Sequence, residues 1–87
     1  MEAGVTLNQN ILLPLECLHS GEWAEVAEVT GEPGWVGRMA ELGVRSGCRL
    51  RVLQPGSPCL LQIGGARLSL RSKVPAQILV RRSKDKG

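Results

Sequence analysis

Residues 48–71 read CRLRVLQPGSPCLLQIGGARLSLR, and the reading of this stretch decides the fold. Apolar and polar residues alternate through Cys48-Arg49-Leu50-Arg51-Val52-Leu53, so Cys48, Leu50 and Val52 share one face and both arginines take the other. A period of two is the mark of a half-buried strand. Gln54-Pro55-Gly56-Ser57-Pro58 supplies the turn chemistry of a hairpin connection. Cys59, Leu61 and Ile63 then alternate inward, Gly64-Gly65 makes a tight turn, and Arg67-Leu68-Ser69-Leu70-Arg71 alternates again. Three short strands in succession predict a mainly β domain.

Working outward, a connector from Ser72 to Ala76 containing Pro75 leads to a last strand, where Ile78 and Val80 alternate with Gln77, Leu79 and Arg81. On the N-terminal side, Trp35 to Leu42 (WVGRMAEL) places Val36, Met39 and Leu42 at three-residue spacing. Gly43 suits the left-handed position that closes a helix, whereas Gly37 weakens that helix by about 1 kcal/mol relative to alanine. Gly31-Glu32-Pro33-Gly34 reads as a loop. Glu22 to Thr30 (EWAEVAEVT) serves a helix or a strand; flanking Gly21 and Gly31 and its short length favour a strand with a bulge. Leu15 and Leu18, behind a proline suited to a first helical position, predict one helical turn stopped near Ser20-Gly21. About five short strands and two helical turns suggest a small barrel, since closure removes free sheet edges. The expected organisation is a loose leader over residues 1–10, a domain over 11–82 and a disordered basic tail over 83–87.

With 87 residues there is room for one domain, and 43% hydrophobic with 22% charged residues is ordinary for a soluble protein. The longest apolar run, Ile11 to Leu15, falls far short of the roughly 20 residues a membrane helix needs. Glu2, with no early lysine or arginine, argues against a secretory signal, so a cytoplasmic location is expected. Trp23 and Trp35 are the only aromatic residues, too few to build stacking platforms for single-stranded nucleic acid or grooves for proline-rich peptides. Three cysteines, an odd number without an export signal, predict reduced thiols.

Charge is polarised along the chain. Residues 1–37 hold six acids and no base, and residues 38–80 hold seven bases against Glu41 alone. The net +3 equals the charge of the tail Arg81 to Gly87 by itself. Pairing of opposite charges across strands accounts for this pattern. A two-faced surface, acidic on one side and basic on the other, is the functional alternative.

No catalytic constellation is present. His19 is the only histidine, and no aspartate precedes Asp85 to orient it. Gly64-Gly65 lacks the Gly-Lys-Ser/Thr of a phosphate loop. A tetrahedral metal site could draw on Cys17, His19, Cys48 and Cys59, but nothing has C-x-x-C spacing, and Cys48 and Cys59 read as core. Cys17 and His19 are therefore the metal candidates, for Fe(II) or Zn(II), and no other cofactor is implied. The basic half lacks the aromatics or recognition helix of a nucleic-acid binder.

The chain resembles the FeoA family, the small cytoplasmic partner of the bacterial ferrous-iron transporter FeoB. The matching residues are Leu15-x-x-Leu18-x-x-Gly21, Ala24-x-Val26-x-x-Val29-x-Gly31, and Arg38-Met39-Ala40-Glu41-Leu42-Gly43-Val44-x-x-Gly47. They continue through Leu50-x-Val52-Leu53, Pro55-Gly56-x-Pro58, Gly65-x-x-Leu68-x-Leu70-Arg71 and Ala76-x-Ile78-x-Val80. Met39 stands where the family usually has leucine, and Trp35-Val36-Gly37 replaces a segment usually richer in arginine and leucine. The resemblance implies a five-stranded SH3-like barrel with two or three short helices. It also implies a non-enzymatic role, supporting or regulating Fe(II) uptake by contact with the cytoplasmic part of FeoB. The membrane would be reached only through that partner, nucleic acid is not expected, and self-association is left open. The contact surface expected from the residues is the helix and its exit, with Trp35, Arg38, Glu41 and Gly43 as candidates. A metal-responsive protein using Cys17 and His19, or a regulator-type barrel, is the alternative.

Overall fold

A computed structural model describes residues 11–71 and 76–83. The expected leader (1–10), most of the connector (72–75) and residues 84–87 of the expected tail lie outside the described residues. Six strands, β1 (Leu13–Pro14), β2 (Trp23–Thr30), β3 (Arg49–Gln54), β4 (Cys59–Ile63), β5 (Ala66–Leu70) and β6 (Gln77–Ser83), form one antiparallel sheet in the order β1-β6-β2-β3-β4-β5. A 3₁₀ turn (Leu15–Cys17) follows β1, and one helix, α1 (Pro33–Glu41), carries the chain from β2 to β3. The architecture is mainly β and SH3-like, as the sequence predicted, with β1 as a strand beyond the five expected.

That extra strand comes from Pro14. Pro14 caps the expected helical turn (Leu15–Cys17) from an extended conformation (φ −63°, ψ 144°), and the same extended backbone sits opposite Leu79 of β6. Proline lacks a donor for the sheet ladder, and β1 is an edge strand, where this is tolerated.

β2 organises the sheet. It pairs with β6 along its whole length, and with β3 from Trp23 to Glu25. The β2–β3 pairing is extended at both ends: Gly21 N–H donates to the Val52 carbonyl at 2.7 Å, and Val26 N–H to that of Cys48 at 2.8 Å. The register against β6 shifts between Val26 and Glu28, the bulge expected from the sequence. The Ala27 carbonyl at that bulge accepts a hydrogen bond from Ser46 Oγ at 3.1 Å. A bulge bends a strand and deepens its twist, which curls the sheet around its core.

The core alternates as the sequence pattern requires. Ala24 and Val26 of β2, Leu50 and Val52 of β3, Leu61 of β4 and Val80 of β6 are fully buried. Leu15, Leu18, Met39, Cys59, Leu70 and Ile78 close the cluster, and no polar side chain is buried with them among the described residues. Cys48 is half-buried against this core, just before β3.

The polarised charges meet across strands. Glu25 lies opposite Arg49 on one side and Arg81 on the other, with Arg81 Nη1 3.9 Å from Glu25 Oε1. Arg82 Nε donates to Glu22 Oε2 at 2.9 Å. β6 runs on from the expected strand through Arg81 and Arg82 to Ser83, the first residue of the expected tail. The carboxylate partners of Arg81 and Arg82 sit on the neighbouring strand or just before it.

Candidate functional site

The helix and the end of the sheet beside it hold the expected contact residues. Proline is favoured in a first helical turn, and Pro33 occupies that position in α1. The other end closes on two hydrogen bonds, from Gly43 N–H to the Ala40 carbonyl (3.0 Å) and from Val44 N–H to the Met39 carbonyl (2.8 Å). This is a Schellman closure, and Gly43 takes the left-handed conformation it demands, with φ +100°. The closure turns Val44 into the core beside Met39 and leaves Leu42 outside, 47% exposed. The three-residue spacing of Val36, Met39 and Leu42 had put Leu42 on the same helix face as Met39. α1 starts at Pro33, two residues before the expected start and inside the expected loop, and ends at Glu41, which leaves Leu42 as its C-cap.

Trp35 stands near the start of α1, half-buried, at a cleft of about 50 Å³. Leu15, Cys59, Leu70 and Ile78 give the cleft an apolar lining, and Glu16 and Arg71 are its charged residues. Gly31 makes the seat of Trp35 possible. A Cβ on Gly31 (φ +148°) would lie 3.0 Å from Ala76 Cβ and 3.2 Å from Trp35 Cε3, so only glycine admits the indole this close. The sequence showed Gly31 as loop punctuation; its pairing with Trp35 and Ala76 depends on tertiary approach. Burial pushes the Cys59 thiol pKa up, and the Glu16 carboxylate adds to the shift. Such a thiol stays protonated and behaves as packing.

Arg38 and Glu41 are exposed on α1, and Gly43 is half-buried at its exit. Trp35, Arg38 and Glu41 therefore share α1, Gly43 lies two residues past its end, and only Trp35 of the four lines the cleft. A second groove lies between α1 and the bulged half of β2, lined by Val29, Val36 and Ala40.

Cys17 and His19 are both exposed, and Cys48 and Cys59 are held with the core. His19 engages Glu22: its backbone N–H donates to Glu22 Oε1 at 2.7 Å, and its ring Nδ1 lies 3.5 Å from the same oxygen. Among the described residues, no three histidine, cysteine or acidic side chains come together as a metal site would need. No helix among them is long and apolar enough to cross a membrane.

A bent antiparallel sheet with one crossing helix defines a small SH3-like β domain. A family model described as the FeoA domain matches residues 13–82, and the chain belongs to the FeoA family. The solution structure of the FeoA protein from Chlorobium tepidum is similar, with 31% identity and a TM-score of 0.74, over 86% of this chain and 74% of that one. A crystal structure described as an iron uptake regulatory protein (FeoA) is similar in fold, with a TM-score of 0.75 at 20% identity, over 84% of this chain and all of the other. No match was found among curated proteins.

Proposed function

We propose that this chain is a non-catalytic accessory domain of ferrous-iron uptake that docks on the cytoplasmic part of a FeoB-type transporter through the Trp35 end of α1. Membership of the FeoA family supports the link to iron uptake. The observation that carries the docking surface is Trp35 itself, seated on Gly31 and half-buried at the cleft between Leu15, Cys59 and Ile78. Tryptophan is enriched among interface residues that dominate affinity, and a seated indole has little rotamer freedom left to lose on binding. Arg38 and Glu41 supply a charged rim on the same helix, and Gly43 fixes where the helix ends. The domain works on the cytoplasmic side and meets the membrane through its partner.

Calorimetric titration against the cytoplasmic part of a cognate transporter, with and without guanine nucleotide, tests this. Trp35→Ala should weaken binding by at least about tenfold, in line with a loss of roughly 1–2 kcal/mol at a hot spot. Arg38→Ala should cost only a few-fold, as a rim charge does. Unchanged affinity for a Trp35→Ala protein whose circular dichroism and melting remain normal would overturn the assignment.

A further inference from the structure

β2 has an open edge along its second half, on the side that faces α1. Its pairing with β3 covers Trp23 to Glu25. Two backbone bonds carry it one step further, from Val26 N–H to the Cys48 carbonyl and from Gly47 N–H to the Val26 carbonyl. The Ala27 carbonyl is taken by Ser46 Oγ. From Glu28 to Thr30 the strand pairs with β6 alone, and among the described residues no strand lies on its other side. Alternate residues of a strand direct their N–H and C=O groups to such an edge, which is a template for pairing. The groove between this edge and α1 has a volume of about 350 Å³. Its apolar lining is Val29 on β2, Val36 and Ala40 on α1, and Val44 beyond the helix, all aliphatic and none large.

The strand rows also give the charge of the missing neighbour. Glu25 has Arg49 opposite it on β3 and Arg81 opposite it on β6. Glu28, the exposed acid beyond the bulge, has Leu79 opposite it on β6 and nothing on the open side. Among the described residues neither Glu28 nor Arg45, the other charge of the groove, belongs to an ion pair. Arg45 stands in the loop beside Ser46, outside the strand row. Opposite charges placed directly across two strands attract, so the position beside Glu28 suits a base.

We propose that this groove takes an extended segment of a partner protein as an added strand beside Glu28–Thr30, with aliphatic side chains turned into the groove and a basic one beside Glu28. A strand is the occupant that meets the open backbone groups, because a helix spends its own hydrogen bonds internally. A second copy of this chain is less suited. Its open-edged strand β5 has Leu70 buried in its own core and Leu68 packed against it, which leaves no aliphatic row to offer. Trp35 lines the first cleft and not this groove, so the proposal stands apart from the docking reading above.

The test uses the whole isotope-labelled chain, NMR, and no transporter. The probe is a synthetic hexapeptide, acetylated and amidated, in which valine alternates with threonine and one central lysine; a second peptide has glutamate in place of the lysine. The lysine peptide should shift the amides of Glu28, Val29 and Thr30, slow their exchange and give cross-strand contacts with them. Methylating the peptide nitrogens that face β2 should weaken binding about fivefold for each hydrogen bond removed. Glu28→Lys should reverse the preference, so that the glutamate peptide binds more tightly than the lysine one. Ala40→Leu keeps a good helix former in α1 and fills the groove, and should abolish binding. Glu28 is exposed, so its variant remains informative if Ala40→Leu folds poorly. The proposal is overturned by any of four results: no shift at Glu28–Thr30 with millimolar lysine peptide; equal affinity for the methylated peptide; shifts centred on the Trp35 cleft instead; or concentration-dependent broadening of the Glu28–Thr30 amides without peptide, which would give the edge to a second copy.

Discussion

Helix α1 and the β2–β6 pairing are built by different means. β6 follows β2 from end to end, places Ile78 and Val80 in the core, and is tied to the β2 side again by the Glu25–Arg81 and Glu22–Arg82 contacts. α1 has nine residues, two of them glycines with open space around them, and no side-chain cap at its start. Met39 is its one fully committed core residue. The proposed partner surface therefore rides on the element with the least burial, and that is where local opening concentrates in a folded protein. A sheet that must hold and a helix that must present are served by different amounts of core.

The largest effect should come from removing matched anchors. Ile78 in β6 and Met39 in α1 are each 5% exposed, so their burial is equal and only their settings differ. Truncating either to alanine costs roughly 2–5 kcal/mol. Ile78→Ala should fall near the upper end, because strands held on both sides cannot close over the cavity. Met39→Ala should fall near the lower end, because a helix with a single anchor settles into the space. Urea unfolding measures both, and amide exchange should show α1 opening alone in Met39→Ala. Equal losses, with α1 and β6 protected alike, would break the comparison.

A smaller effect sharpens it. Gly43→Ala forces a side chain into the left-handed region at φ +100° and brings its Cβ 3.2 Å from Ile63 Cγ2. About 1–2 kcal/mol should be lost. Because the Schellman bonds close only α1, exchange protection should drop at Leu42, Gly43 and Val44 and persist across β2–β6. Loss of protection spread evenly over the sheet would show that helix and sheet unfold as one unit.

How much of this was readable in the sequence follows the same division. Strand alternation at Leu50/Val52, Cys59/Leu61 and Ile78/Val80 is a local pattern, and every one of those residues is buried. The β2 bulge was legible because EWAEVAEVT cannot keep period two throughout. Leu42 misled, since its spacing fits a helix one residue longer than the closure at Gly43 allows. Pro14 was legible as the start of the helical turn, but its second place on the sheet edge, opposite Leu79, was not, because that needs β6 beside it. The seat of Trp35 on Gly31 and Ala76 was not readable, because it joins residues 31 and 76 through an approach no local period encodes. The charge pairing across β2 is an intermediate case: arginine alternation showed in the sequence, but that Arg81 faces Glu25 required β6 to lie beside β2.

The smallest predicted effect concerns acid, and it belongs to the sheet alone. Glu22 precedes β2 and has its pKa lowered from 4.5, first by the hydrogen bond it accepts from the His19 backbone N–H, and further by Arg82; partial burial opposes both. A carboxylate whose folded pKa lies below its unfolded one adds stability above the unfolded value, and that contribution disappears as pH falls through the folded value. Acid should therefore loosen the Glu22–Arg82 tie below about pH 4.5. Glu22→Gln separates the causes, because its amide oxygen still accepts from His19 while the charge is gone. At neutral pH the variant should lose no more than about 0.5–1 kcal/mol, as expected for a solvent-screened pair. Its melting temperature should fall less steeply than the parent's from pH 5 to pH 3, and added salt should narrow the neutral-pH gap by screening Arg82. An acid response that Glu22→Gln leaves intact would show that the Glu22–Arg82 tie is not its source.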